Sequence, residues 1–221
     1  MLSINTLAGP KAAAPGVAAP GALELRPYQR ACIEQCLAAL GKGVWRQAVS
    51  LPVGSGKTVI FSNLIQRVPA PGPEATKTLV LAHREELLEQ AARQIKRASP
   101  QLEVHIDQAQ RVASPAADVV VASVATLGRS GSARLRRHDP ARYKCIIIDE
   151  AHHAAAESYG RILEYFGRGT DEQPLLVWGC SATLRRHDGL ALGEVFDQIV
   201  FHKSFLEMIR EKWLSGLQVT T

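Results

Sequence analysis

Two short runs hold the residues with the most chemistry to offer. The first is Pro52-Val53-Gly54-Ser55-Gly56-Lys57-Thr58, where two glycines flank a serine just ahead of a lysine and a hydroxyl. A glycine-rich loop bends so that successive N–H groups converge on phosphate oxygens, a lysine reaches the outer phosphates, and a hydroxyl takes up Mg²⁺. Gly54 and Gly56 matter because no Cβ then blocks the approach of phosphate to backbone. Position 51, where the general pattern has its first glycine, is Leu51. The second run is Ile146-Ile147-Ile148-Asp149-Glu150-Ala151-His152, an apolar stretch that delivers two adjacent carboxylates. Asp149 suits a Mg²⁺ ligand, and Glu150 suits the base that orients and deprotonates an attacking water. Together they predict a nucleoside triphosphate site with hydrolytic chemistry, its catalytic groups Glu150, Asp149 and Lys57. The bland alternatives are a Gly/Ser turn before a helix and a solvated acidic cap. An isolated His152 or His153 would by itself be a structural hydrogen-bonding group.

For these groups to meet, regular elements must carry them to one edge. From Leu25 onward helical stretches alternate with short runs of Val, Ile and Leu, the pattern of an α/β domain with a mostly parallel sheet and helices on both faces. Helices are predicted over 27–40, 58–68, 85–97 and 157–166, and strands over 47–51, 78–82, 104–106, 119–122, 145–148 and 175–179. In open α/β sheets ligands gather beyond the carboxyl ends of the strands. The phosphate loop, His83-Arg84, Ser123 to Thr126, Asp149-Glu150 and Ser181-Ala182-Thr183 each follow a predicted strand, so all are expected on one rim.

The chain has 221 residues, 46% of them hydrophobic, which is enough for a packed core. No stretch approaches the roughly 18 uncharged apolar residues of a membrane span. A formal charge of +5 fits a polyanionic partner without requiring one. Cys32, Cys36, Cys145 and Cys180 lack the spacing of a disulfide framework or zinc knuckle, and read as buried thiols. Residues 1–22 are rich in Ala, Pro and Gly, which predicts a disordered tail, with a targeting role left open.

Leu25-Arg26-Pro27-Tyr28-Gln29, the phosphate loop, LVLAHREEL at 79–87, DEAH at 149–152 and SAT at 181–183 occur in that order. From residue 25 to about 205 the chain resembles the first, ATP-binding RecA-like domain of a superfamily 2 DEAH-type helicase. Within that superfamily it is similar to the group carrying type III restriction-enzyme helicase subunits, where an apolar residue such as Leu51 commonly opens the loop. The stretch FDQIVFHKSFLEMI at 196–209 resembles fungal mitochondrial ATP-dependent DNA helicases.

The resemblance implies a single RecA-like P-loop NTPase fold that uses ATP and Mg²⁺. It implies that ATP is held by Gln29 at the adenine edge, by Arg26 nearby, and by Leu51, Pro52, Val53, Gly54, Ser55, Gly56, Lys57 and Thr58, with Thr58 and Asp149 on the metal. His152, Ser181 and Thr183 would couple the nucleotide site to strand movement, and Arg84 and Thr126 would contact nucleic-acid phosphates. The residues alone leave Gln29 open as a helix-surface side chain and Arg84 as a solvated helix start. Arg134, Arg136, Arg137 and His138 are either an exposed charge run or an added electrostatic attraction. The resemblance favours DNA over RNA, although the motifs read phosphates common to both. It also implies boundaries: a tail over 1–22, the ATP-binding domain over 23–205, and over 206–221 the start of a linker toward an absent second RecA-like domain, the chain being a fragment, a truncated product, or one partner of a split motor that takes that lobe in trans. Arginine fingers of such a second lobe are typically worth ~10³-fold or more in turnover. This chain alone is therefore expected to bind ATP and hydrolyse it weakly. The rival reading is a nucleotide-binding regulatory module without motor activity, which the paired Asp149 and Glu150 disfavour. Mitochondrial residence is implied, with nuclear or cytoplasmic residence as the alternative and no membrane association.

Overall fold

The structure is a computed structural model that describes residues 24–167, 169, 174–183 and 193–215; the tail expected over 1–22 and residues 216–221 lie outside these. In chain order the elements are α1 (Pro27–Leu40), β1 (Arg46–Ser50), α2 (Lys57–Leu64), β2 (Lys77–Ala82), α3 (Glu85–Ala98), β3 (Val104–Asp107) and β4 (Val119–Ser123). There follow α4 (Val124–Leu127), β5 (Tyr143–Asp149), α5 (Glu157–Phe166), β6 (Leu176–Ser181), β7 (Gln198–His202) and α6 (Phe205–Arg210). The strands form one seven-stranded sheet in the order β3-β4-β2-β5-β6-β1-β7. Every pairing is parallel.

Alternation along the strands sorts the core into two layers, as the pleat requires. Val49, Val80, Ile147 and Trp178 face α1, α2 and α3, whereas Leu79, Leu81, Ile146, Ile148 and Val177 face α4 and α5. Helices therefore cover both faces. In α3 the residues Leu88, Ala91, Ala92 and Ile95 are buried while Glu85 and Glu86 lie in the first turn and Lys96 and Arg97 in the last, so apolar stripe and macrodipole agree.

Helices α2, α4 and α6 and strand β7 differ from the sequence expectation, the short α4 being unpredicted. Helix α2 ends at Leu64 rather than at 68, yet Ile65 and Val68 stay buried in the turn that follows, so the apolar period outruns the helical bonding. Strand β7 and helix α6 were not predicted. The strand lies at the sheet edge on β1, and Ile199 is 40% exposed while Phe201 is buried, which erases the alternation that announces a strand. A Ser204–Glu207 capping box starts α6: Ser204 Oγ accepts from Glu207 N at 3.2 Å and Glu207 Oε2 accepts from Ser204 N at 2.6 Å. Met208 buries completely against the α1 side of the core, so the packed unit continues past position 205 to Leu214.

Candidate active site

Strand order does the assembling. Because β6 lies between β5 and β1, Asp149 is level with Cys180, and Ser50 with Ser181, across adjacent strands. The chain leaves β1 along the same line, with Leu51 N donating to Ser181 O at 3.0 Å. The start of the phosphate loop, Ser181 and the Asp149-Glu150 turn thus share one rim. On the other flank Ala82 is level with Ser123, which places His83-Arg84 and the Ser123 to Thr126 turn side by side. The sheet divides the rim into one half built from β5, β6 and β1, which carries the phosphate loop, and a second half built from β3, β4 and β2.

In the loop, Gly54 and Gly56 have φ of +82° and +76°, the left-handed region in which a Cβ is costly. Gly56 also faces Gln29, whose Nε2 would lie 2.7 Å from an added Cβ. Gln29 is buried, and its amide is engaged from both ends: Oε1 accepts from Arg26 N at 3.0 Å, and Nε2 donates to Ser55 O at 3.3 Å. Tyr28, whose OH also donates to Ser55 O, completes the brace. Gln29 is therefore packed against the loop's backbone, not on a helix surface. Tyr28 was missed as a site residue, although its place beside Gln29 in the Pro-Tyr-Gln run was the available signal.

Among the described residues, Ser55 Oγ is buried without a hydrogen-bond partner, and Lys57 Nζ folds back to within 3.5 Å of Leu51 O. Leu51 and Pro52 are buried beneath the loop while Val53 is 74% exposed at its tip. Lys57 and Thr58 open α2, where first-turn N–H groups have no intrahelical acceptor. A cation, a hydroxyl, free amides and two carboxylates make a donor set that fits a Mg²⁺–triphosphate.

Asp149 is buried beside Cys180, whose Sγ donates to Oδ1 at 3.5 Å, and it also accepts from Glu150 N at 3.0 Å. Burial first, then the charge of Glu150, pushes its carboxyl above the usual range, while the bonds from Cys180 and from the Glu150 N–H and the Lys57 charge act in the opposite direction. Glu150 adopts φ 52°, ψ 55°, a conformation that costs a non-glycine residue about 1–2 kcal/mol. Strain of this kind persists only where the surroundings impose it, and here it aims Glu150 off the end of β5. His152 Nδ1 lies 2.8 Å from Ser181 Oγ and 3.3 Å from Glu150 Oε2, and Ser181 Oγ lies 3.4 Å from Thr183 Oγ1. The three residues expected to couple thus form one contact chain that starts at Glu150. His153 packs against both His152, tilted by 44°, and His83, edge to face at 69°, with ring centroids 4.0 Å and 4.6 Å away. Burial first, then the neighbouring His152 and His83, lowers its pKa.

On the second half of the rim Arg84 is exposed at the start of α3. Thr126 Oγ1 accepts from Ala109 N at 3.3 Å and lines a cavity of about 390 Å³ together with Arg129, Ser130, Ser132 and Arg134. The basic cluster at 134–138 splits. Arg134 is an ion-pair partner of buried Asp107, and His138 lies 3.5 Å from the same carboxylate and 2.8 Å from Tyr143 Oη, so these two hold the fold together. Arg136 and Arg137 remain exposed. All four cysteines are buried, with Cys36 Sγ accepting from Trp178 Nε1 at 3.2 Å.

Residues 22–186 match the family described as Type III restriction enzyme, res subunit. A Schizosaccharomyces pombe protein named as a mitochondrial ATP-dependent helicase, irc3, is 43% identical over 193 residues, covering 87% of this chain and 31% of that protein. The Pyrococcus furiosus Hef helicase domain superposes with a TM-score of 0.67 at 22% identity, over 88% of this chain and 41% of that one. The Sulfolobus solfataricus SWI2/SNF2 ATPase core, solved with double-stranded DNA, gives 0.61 at 19% identity over 79% and 36%. Likeness at that identity speaks to the fold alone. The chain spans about a third of the length of the curated relatives it matches. Motif order, parallel topology and family match make this chain a member of the type III restriction enzyme res-subunit family, built on a RecA-like parallel α/β fold.

Proposed function

We propose that this chain binds ATP with Mg²⁺ at the β1-β6-β5 rim and hydrolyses it in response to nucleic acid, as one lobe of an ATP-dependent helicase. The observation that carries the reading is the registered adjacency of phosphate loop, Ser181 and Asp149. Lys57 and the loop amides hold phosphate oxygens, and Thr58 and Asp149 hold the metal. Bound Mg²⁺ supplies charge neutralisation at the phosphates. Glu150 accepts the proton of the attacking water at its carboxylate, and its contact with His152 carries the state of the site to Ser181 and Thr183. Arg84, Thr126 and the cavity beside Thr126 supply phosphate contacts for a strand lying across the second half of the rim.

DNA is the polymer we favour, supported by the duplex bound by the SWI2/SNF2 neighbour. A second RecA-like lobe completes the motor, a reading supported by the greater length of the relatives. Residence in mitochondria is likewise proposed from the relative's name. Among the described residues no helix is long and apolar enough to cross a membrane. The test is ATP turnover with and without single-stranded DNA: weak basal activity, abolished in both Lys57→Ala and Glu150→Gln, is expected. Turnover that survives Lys57→Ala refutes the site assignment, Glu150→Gln that leaves hydrolysis intact refutes the role given to Glu150, and Lys57-dependent ATP binding without hydrolysis favours a binding-only module.

A further inference from the structure

The residues after α6 return to the phosphate-loop half of the rim. Lys212 has φ +61°, an unusual conformation for a side-chain-bearing residue, and it reverses the chain so that Trp213 N and Leu214 N both donate to Met208 O, at 2.8 and 3.2 Å. Complete burial of Met208 anchors that turn to the domain. The indole of Trp213 then packs on Tyr28, with ring centroids 5.4 Å apart and planes tilted by 57°. The Arg26 guanidinium lies over the same indole at 5.8 Å, and its Nη1 donates to Trp213 O at 3.4 Å. Leu214 reaches the loop, since its Cδ2 would lie 3.3 Å from a Cβ on Gly54. Tyr28 and Gln29 brace Ser55 from the other side. Arg26 is exposed apart from these contacts. A planar cation with one face on an indole has its second face available to a planar base.

We propose that Trp213 is a positioning residue for nucleobase binding: it fixes Arg26 as a stacking surface for a purine and pins Tyr28 against the phosphate loop. The inference rests on the ATP site proposed above and deepens it, because it makes base affinity depend on the segment after α6. Phosphate affinity stays with Lys57 and the loop.

The experiment measures equilibrium binding of Mg²⁺-ATP and of Mg²⁺-tripolyphosphate, which lacks a base, to the intact chain and its variants. Trp213→Leu is expected to weaken ATP roughly five- to tenfold, the loss of a contact of about 1 kcal/mol. Tripolyphosphate affinity should stay within about twofold. Arg26→Ala should weaken ATP similarly and the double variant no further, because Trp213 acts through Arg26. Trp213→Phe, which keeps a ring, should restore most of the affinity. Unchanged ATP affinity in Trp213→Leu, or equal weakening of both ligands, overturns the proposal while leaving the phosphate site standing. Wild-type chain that binds neither ligand in a Lys57-dependent way overturns the nucleotide reading itself, and this inference with it.

Discussion

Replacing Gly56 by alanine should destabilise the nucleotide-free chain, and the size follows from two separable costs. At φ +76° an L side chain pays about 1–2 kcal/mol for the left-handed conformation. The new Cβ would also lie 2.7 Å from Gln29 Nε2, far inside van der Waals contact. Gln29 is 5% exposed and its amide bonds both Ser55 O and Arg26 N, so it yields only by losing at least one buried hydrogen bond, at roughly 1–2 kcal/mol. The expected loss is about 2–4 kcal/mol, which for a chain of this size lowers the melting temperature by about 5–15 °C. Urea and thermal unfolding without nucleotide measure it, and Gln29→Ala supplies the control. With the amide removed the steric cost disappears, so the double variant should be less destabilised than the two single changes combined, by about 1–2 kcal/mol. A shift in Gly56→Ala below about 0.5 kcal/mol, or strict additivity, refutes this account of why glycine stands there.

Lys57→Ala should abolish ATP binding while changing unfolding free energy by less than about 0.5 kcal/mol, because Lys57 has only a marginal contact with Leu51 O. Asp149→Asn should raise the stability of the nucleotide-free chain at neutral pH and remove Mg²⁺-dependent ATP binding. The carboxyl's folded pKa is raised, so its penalty is absent in acid and grows as pH rises through the ordinary carboxylate value and beyond, a slope that unfolding at a series of pH values will detect. Mg²⁺-ATP affinity should weaken as pH falls toward that range, since the metal must displace a proton. Asp107 has the opposite sign. Burial alone would raise its pKa, but bonds from His138 and Arg134 outweigh burial and hold it low, so its stabilisation is present above the ordinary carboxylate value and lost as pH falls through the depressed one. Asp107→Asn, which removes the ion pair while Arg134 keeps its bonds to Ala109 O and Arg111 O, should cost about 1–3 kcal/mol in urea unfolding.

What the chain could declare by itself was whatever is local. Gly54, Gly56, Lys57 and Thr58 are adjacent in sequence, and the apolar run into Asp149-Glu150 announces a buried strand ending in carboxylates, so loop, strand and their chemistry were legible from residue types and spacing. The alternation of helical and β-rich segments gave the sheet and its covered faces, because parallel strands such as β2 and β4 are buried along their whole length and carry the apolar runs Leu79 to Ala82 and Val119 to Ala122. Strand order is different in kind. That β6 lies between β1 and β5, bringing Ser181 to Leu51 and Asp149 to Cys180, comes from long-range packing that no short window encodes. The same holds for β7, whose exposed edge blurs its period, and for Arg134 and His138, which look like a basic patch until the fold brings Asp107 between them. Trp213 is the furthest case. Its sequence neighbours say nothing of Tyr28 and Arg26, 185 and 187 positions away, and only the burial of Met208 and the turn at Lys212 bring the indole onto them.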